Sequence, residues 1–270
     1  TFLMLIDSFL EYLRLERNYS ERTIVSYETD LREFEEYFQE VDAGLDFKKI
    51  DADIVRRWMV HLMDEGRAAT SVNRKLSTLR SFYRFLLRRK EVVINPMLKV
   101  VGPKKKKPLP FFVREKDMDR LLDESLFEEG FEGCRDRLIL EMFYATGMRL
   151  SELIGLNDAD VDLSARLIKV TGKRNKQRLI PFGNEMEEDL LIYIKVRNET
   201  LPEGTKAFFV RKNGMRMYPL QVYRLVRKSL SKVVTLKKRS PHVLRHTFAT
   251  VMLNGKAEMR AVKELLGHES

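Results

Sequence analysis

Residues 101–110, Val-Gly-Pro-Lys-Lys-Lys-Lys-Pro-Leu-Pro, divide this chain of 270 residues. The prolines here lack the N–H that a helix or a central strand needs, and the adjacent lysines repel one another, so the segment reads as an extended linker. Residues 1–100 lie before it and residues 111–270 after it. Each part is long enough to bury its own core, so each is read as a separate folding unit.

Helical periodicity dominates the first part. Ser20 is placed to cap a helix whose Ile24, Tyr27, Leu31, Phe34 and Phe38 recur at steps of three and four. Asp51 or Asp53 opens the next helix, with Ile54, Trp58 and Leu62 inward and Gly66 as its stop. A long helix follows, carrying Val72, Leu76, Leu79, Phe82, Tyr83 and Leu86, and Asn95-Pro96 is expected to end it. On another face Arg80, Arg84 and Arg88 recur at every fourth position, a ladder of guanidinium groups along one side. No repeat of fixed period appears, which excludes a solenoid.

Charge is distributed unevenly along the chain. The total is +10, yet residues 1–66 carry 8 basic and 16 acidic side chains. Residues 67–107 carry 13 basic side chains and a single acid, Glu91. A window that basic points to a polyanion, with Arg74, Lys75, Arg80, Arg84, Arg88 and Lys104, Lys105, Lys106 and Lys107 as candidate phosphate contacts. Other classes fall away. No apolar run approaches the ~20 residues of a membrane span, and the acid-containing opening, residues 1–12, is unlike a signal peptide. Cys134 is the only cysteine, which excludes a disulfide framework, argues against a cysteine-built zinc site and fits a reducing, cytoplasmic location.

In the second part helices are expected over residues 115–123, 134–145, 184–197, 219–233 and 241–253. Residues 166–170 and 177–181 read as a β-hairpin about a turn at Thr171–Asn175, and residues 207–210 as a third short strand. The fold class is therefore mainly α with a small antiparallel sheet. Two segments concentrate chemistry. Ala145-Thr-Gly-Met-Arg-Leu-Ser-Glu-Leu153 places Arg149 just after a glycine break, with Glu152 three residues on. Pro241-His-Val-Leu-Arg-His-Thr-Phe-Ala249 puts His242 and Arg245 on one helix face. Guanidinium groups stay charged and grip phosphate oxygens in pairs, so this set suits an anionic oxygen centre. Rival chemistries fail on spacing. His242 and His246 lie four apart, but Val243 stands where a metalloprotease needs Glu, and Arg245 would repel a cation. Gly172-Lys173 is no P-loop, because Leu167 and Arg174 occupy required Gly and Ser/Thr positions.

These two segments, together with Leu265-Leu266-Gly267-His268, resemble the conserved boxes of the tyrosine recombinase family, most closely its Xer-type branch. The resemblance covers nearly the whole chain. It implies an N-terminal helical-bundle domain that clamps DNA, over residues 1–100, and a mixed α/β catalytic domain over residues 111–270. Arg149 matches the first catalytic arginine, Lys173 the hairpin lysine, His242 and Arg245 the His-x-x-Arg pair, and His268 the final His/Trp position. Glu152 matches the acid that supports the first arginine, and His246 is expected to pack or to support the centre. The implied reaction is attack of a tyrosine hydroxyl on a DNA phosphate, giving a 3′-phosphotyrosine and, by strand exchange, a Holliday junction, with no metal and no cofactor. Implied partners are duplex DNA with a short, nearly palindromic site, other copies or paralogues in a tetramer that exchanges C-terminal tails, and a division-associated DNA translocase as activator. The implied task is resolution of chromosome dimers.

The family's tyrosine is expected about nine residues beyond His268, near position 277, whereas this sequence ends at Ser270, and none of its nine tyrosines stands in that context. The expectation is a chain that binds DNA, stays monomeric in solution and forms no covalent adduct. Two alternatives share its features: an integrase or transposase of a mobile element, with the same chemistry, and a DNA-binding protein that does not cut. If the arginine ladder meets phosphates, replacing Arg80, Arg84 and Arg88 together with Ala will weaken binding to any duplex. Every arginine that neutralises a phosphate will, on removal, flatten the slope of log K against log salt by about one unit. Titrations at several salt concentrations measure this, and an unchanged slope would show a merely solvated face.

Overall fold

The computed structural model describes residues 2–104, 111–172, 175–201, 206–235 and 239–267. The chain divides into two compact units, Thr1–Pro108 and Leu109–Ser270.

The first unit is built from helices α1 (Phe2–Leu15), α2 (Glu21–Val41), α3 (Ala52–Asp64) and α4 (Ala69–Arg88). Local signals set their starts. Ser20 Oγ accepts from Thr23 N–H at 3.3 Å to open α2, and Asp51 Oδ1 accepts from Asp53 and Ile54 N–H, both at 2.9 Å, to open α3. The helices close over an aromatic core, with Phe34 against Trp58 at 4.7 Å and Phe82 against Phe47 at 4.9 Å between ring centroids. Such pairs add to the gain from apolar burial. Tyr83 is fully buried and donates its hydroxyl hydrogen to Phe47 O at 3.0 Å, so its polar atom is not stranded.

Helix α4 ends earlier than its sequence pattern implies. It stops at Arg88, because Lys90 adopts a left-handed φ of 60° and Glu91 N–H turns back to Leu86 O at 2.9 Å. Asn95-Pro96 instead opens a short 3₁₀ turn, Pro96–Lys99, which Asn95 caps.

Charge on α4 is partly consumed inside the unit. Asp30 of α2 is wholly buried and accepts from Arg74 at 2.6 and 2.7 Å, from Lys75 at 3.1 Å and from Thr78 at 2.8 Å. Lys75 also pairs with Glu33. This corrects the reading of Lys75 as a phosphate contact: its ammonium is buried between two carboxylates and cannot reach a ligand. Arg74 keeps an exposed edge but is neutralised by the same carboxylate. Along the ladder, Arg80 donates to Val100 O and Arg88 to Tyr12 Oη, whereas Arg84 is exposed and donates to Arg80 O of its own helix. Lys104 is exposed, and Lys105, Lys106 and Lys107 lie outside the described residues.

The second unit surrounds a three-stranded antiparallel sheet with helices. Strands β1 (Val161–Asp162), β2 (Leu167–Thr171) and β3 (Gln177–Pro181) lie in that order. Around them are α5 (Glu115–Leu121), α6 (Phe131–Thr146), α7 (Leu150–Gly155), α8 (Asn184–Thr200), α9 (Pro219–Val233), α10 (Pro241–Asn254) and α11 (Met259–Leu266). The expected hairpin is β2–β3, with Val170 facing Arg178 and Thr171 facing Gln177. The third strand is β1 and not residues 207–210. That segment is buried but makes only isolated bridges, Ala207 to Asn157 and Val210 to Arg216, so its apolar run fills the core without joining the sheet. Helix α11 is an element that the sequence pattern did not single out.

Guanidinium groups hold the irregular segments of this unit. Arg216 donates to Ile154 O, Leu156 O and Asn157 Oδ1, and Arg197 to Phe208 O and the Asp158 carboxylate. Arg135 donates to Val210 O. Among the described residues no helix is long and apolar enough to cross a membrane.

Replacing Asp30 with Ala will take a buried carboxylate from Arg74, Lys75 and Thr78, leaving Lys75 with Glu33 alone, and is expected to destabilise the first unit by about 3 kcal/mol. Urea unfolding followed by Trp58 fluorescence measures the loss.

Candidate active site

The break after α6 starts the site. Gly147 takes a left-handed φ of 59° and ends that helix, which sends the chain directly into α7. A Cβ here would lie 2.4 Å from Phe248 Cδ1 and 2.9 Å from Leu266 Cδ2, so both the φ and the close approach require glycine. Arg149 then stands at the N-terminal cap of α7, and Glu152 follows in its first turn. The buried Glu152 carboxylate accepts from Arg149 twice, through the backbone N–H and through Nη1, both at 2.7 Å.

Two more arginines converge there. Arg178 on β3 grips both Glu152 oxygens, with Nη1 at 2.8 Å and Nη2 at 2.9 Å. Arg245, in the second turn of α10 and 8% exposed, donates through Nη1 to Gly147 O and through Nη2 to Leu266 O, the latter at 2.6 Å. The end of α11 ties all three together. Leu265 O accepts from Arg178 Nε at 2.7 Å, Leu266 O from Arg245, and Gly267 O from Arg149 Nη2 at 2.9 Å. Three consecutive carbonyls at the negative end of a helix thus each face a different cation. Gly267 closes α11 with a left-handed φ of 62°, and a Cβ on it would approach Arg178 Nη1 to 3.1 Å.

The electrostatics follow from these contacts. Burial would push the Glu152 carboxyl up, but the bonds from Arg178 and Arg149 outweigh it and hold the group at about 2. Burial, with Arg149 and Arg178 close by, lowers the Arg245 guanidinium to about 10, still charged at neutral pH. Three cations thus surround one carboxylate, and the excess positive charge suits an anion such as a phosphodiester.

The remaining expected residues fall into three groups. His242 is exposed in the first turn of α10, on the helix that carries Arg245. His246 is exposed too, which corrects its reading as a packed residue. At four residues from His242 it shares the solvent face, while Val243, Leu244, Thr247 and Phe248 take the inward positions. Lys173 and His268 lie outside the described residues, but their neighbours reach the centre. Gly172 begins the hairpin turn, where a Cβ would sit 3.2 Å from Glu152 Oε1 and 3.8 Å from Arg149 Nη1. Gly267, just before His268, bonds to Arg149.

Sequence reasoning missed Arg178, although a signal existed. It alternates with buried Ile180 on the inward face of β3, and an inward charge needs a partner. It also missed the outer face of α9, where Tyr223, Arg224, Arg227 and Lys228 are exposed.

Comparison with known proteins places this arrangement. Residues 112–270 match the phage integrase family, and residues 6–90 match the phage integrase N-terminal SAM-like domain. The tyrosine recombinase XerC of Chlorobaculum tepidum is 38% identical, over 98% of this chain and 87% of that protein. The tyrosine recombinase XerC of Pelotomaculum thermopropionicum is 39% identical, over 97% of this chain and 89% of its own. Among solved structures, the XerA recombinase is 25% identical, with a TM-score of 0.54 over 99% of this chain and 90% of its own. The XerH recombinase bound to a palindromic difH substrate is 21% identical and shares the fold at a TM-score of 0.78, over 98% of this chain and 78% of that one.

The depressed Glu152 carboxyl has a consequence in acid. Its folded value, about 2, lies below its ordinary 4.5, so the stabilisation it provides is complete above that ordinary value and is lost as pH falls towards 2. The Glu152→Gln variant will therefore show a flatter dependence of unfolding free energy on pH across that window. Urea titrations at a series of acidic pH values test this; equal slopes in both proteins would count against the ion-paired carboxylate.

Proposed function

The chain belongs to the phage integrase family of tyrosine recombinases, and on that premise we propose that it cuts and rejoins duplex DNA at a specific site, with resolution of chromosome dimers as its task. One observation carries this above all: Arg149 and Arg245 are held by fixed bonds around a buried carboxylate, with charge left over for an anion.

A phosphodiester carries one negative charge and gains a second as the transition state forms. Donors already fixed in place stabilise that state more than the ground state. Arg149 and Arg245 take this role, and His268 adds a donor beside Gly267. Lys173, on the hairpin turn, protonates the leaving 5′-oxygen as a general acid. His242 acts as donor or proton partner to the attacking tyrosine hydroxyl, expected about nine residues beyond His268. The reaction conserves the phosphodiester energy in a 3′-phosphotyrosine, from which the exchanged strand is rejoined through a Holliday junction.

Duplex DNA is the partner, gripped by a clamping domain in residues 1–100 and a catalytic domain in residues 111–270. Arg84, Arg88 and Lys104 in the first, and Arg224, Arg227 and Lys228 in the second, offer exposed cations to its phosphates. The active form is a tetramer on a short, nearly palindromic site, joined by exchanged C-terminal tails and switched on by a division-associated DNA translocase. It works in the cytoplasm. The XerC relatives support this role.

In a chain that carries the tyrosine, Arg149→Ala and Arg245→Ala will each slow cleavage of a nicked suicide duplex by on the order of 10²-fold or more. Circular dichroism checks that each variant is folded. Lys173→Ala will be slow on ordinary DNA and restored on a 5′-phosphorothiolate, whose sulfur leaves without a proton. Equal slowness on both substrates would remove Lys173 from the general-acid role.

A further inference from the structure

All three guanidinium nitrogens of Arg178 are engaged by the protein. Nη1 and Nη2 bond the two Glu152 oxygens, and Nε bonds Leu265 O. The guanidinium therefore faces a carboxylate on one edge and a helix end on the other, with only 15% of its side chain exposed. We propose that Arg178 is a positioning residue for DNA cleavage: it locks Glu152, and through it Arg149, while tying the hairpin that carries Lys173 to the end of α11. This inference rests on the functional reading above and adds a residue to it.

Glu152 accepts four bonds, two from residue 149 and two from Arg178. Of the two bonds from residue 149, one comes from the guanidinium that needs to be held, and the other, from the backbone N–H, anchors a single oxygen, Oε2. Arg178 supplies a second reference that meets both oxygens, because its backbone is fixed in the sheet opposite Val170. A planar fork that meets two oxygens at once fixes the carboxylate plane, which a single ammonium would leave free to turn. The same side chain reaches α11, so the strand leaving the hairpin turn and the helix that precedes His268 share one anchor.

Removing that anchor also exposes a titration. The groups facing Glu152 are Arg149 from α7 and Arg178 from β3, with Arg245 of α10 within range of its charge and the last backbone carbonyls of α11 beside the arginines. Without Arg178 two favourable bonds go and the burial remains, so the carboxyl titrates closer to neutrality and Arg149 loses its counter-charge in mild acid.

The test uses the chain extended to its tyrosine, with single-turnover cleavage measured at saturating DNA and binding measured separately. Arg178→Ala is expected to slow cleavage by on the order of 10- to 10²-fold while DNA affinity holds, since the residue spends its donors on the protein. The ratio of its rate to the parent's will fall as the pH is lowered from 7 to 5. Arg178→Lys will recover part of the loss. The double variant Arg178→Ala/Glu152→Gln will be slower than Glu152→Gln alone by much less than Arg178→Ala slows the parent, because the two changes share the Glu152 linkage and only the bond to Leu265 O is lost in addition. Should Arg178→Ala fold poorly, the same cycle run with Arg178→Lys decides. Parent-like cleavage by Arg178→Ala, or losses that multiply with those of Glu152→Gln, would overturn the proposal. Arg149→Ala run alongside separates the two readings: if it cleaves normally the recombinase centre itself is wrong, and if it is inactive while Arg178→Ala is not, only the positioning role falls.

Discussion

One buried carboxylate holds the centre together. Three guanidinium groups at close quarters repel one another, and without a counter-charge they would swing out to water. Glu152 fixes two of them directly, and its charge moderates the depression of the third. Its own burial is tolerated only because four hydrogen bonds meet it, so carboxylate and arginines depend on each other. The rest of the unit serves that arrangement: a left-handed glycine turns the chain into α7, a strand register aims Arg178 inward, and a helix end offers its last carbonyls to the cations left partly unsatisfied.

Elements with a strong period and a clear cap are legible in the chain. Ser20 and Asp51 start helices because their side chains satisfy free N–H groups locally, and the aromatic positions of α2 and α4 repeat at helical spacing. The hairpin shows in a β-branched alternation about a polar turn. Where tertiary contacts decide, the local pattern misleads. Residues 207–210 have the composition of a strand, but they lie in the core without a sheet edge to join. The pattern of α4 points on towards Pro96, yet the helix closes at Arg88 through a lysine in the left-handed region, a conformation that carries no composition signal.

The site shows the same division. Arg149, Glu152 and Arg245 sit in short motifs whose spacing matches their geometry, so they can be named from the chain alone. Lys75 cannot be placed correctly that way, because a charge count does not distinguish a solvated lysine from one enclosed by Asp30 and Glu33. Arg178 is hidden for the opposite reason. It lies outside every motif, and only the strand register reveals that it faces inward. Paired charge of this kind is a property of contacts between distant segments.

The arginines that hold the irregular segments of the second unit have a thermal consequence. Arg135, Arg197 and Arg216 satisfy the backbone carbonyls of Val210, Phe208 and Leu156, outside the regular sheet and helices. Taking a charged group out of water carries a penalty that shrinks on heating, because hydration of ions becomes less favourable as temperature rises, while the gain from apolar burial levels off. These segments are therefore secured by the class of interaction that weakens least with heat. Warming therefore shifts the balance of support for these segments from the apolar core towards the guanidinium bonds.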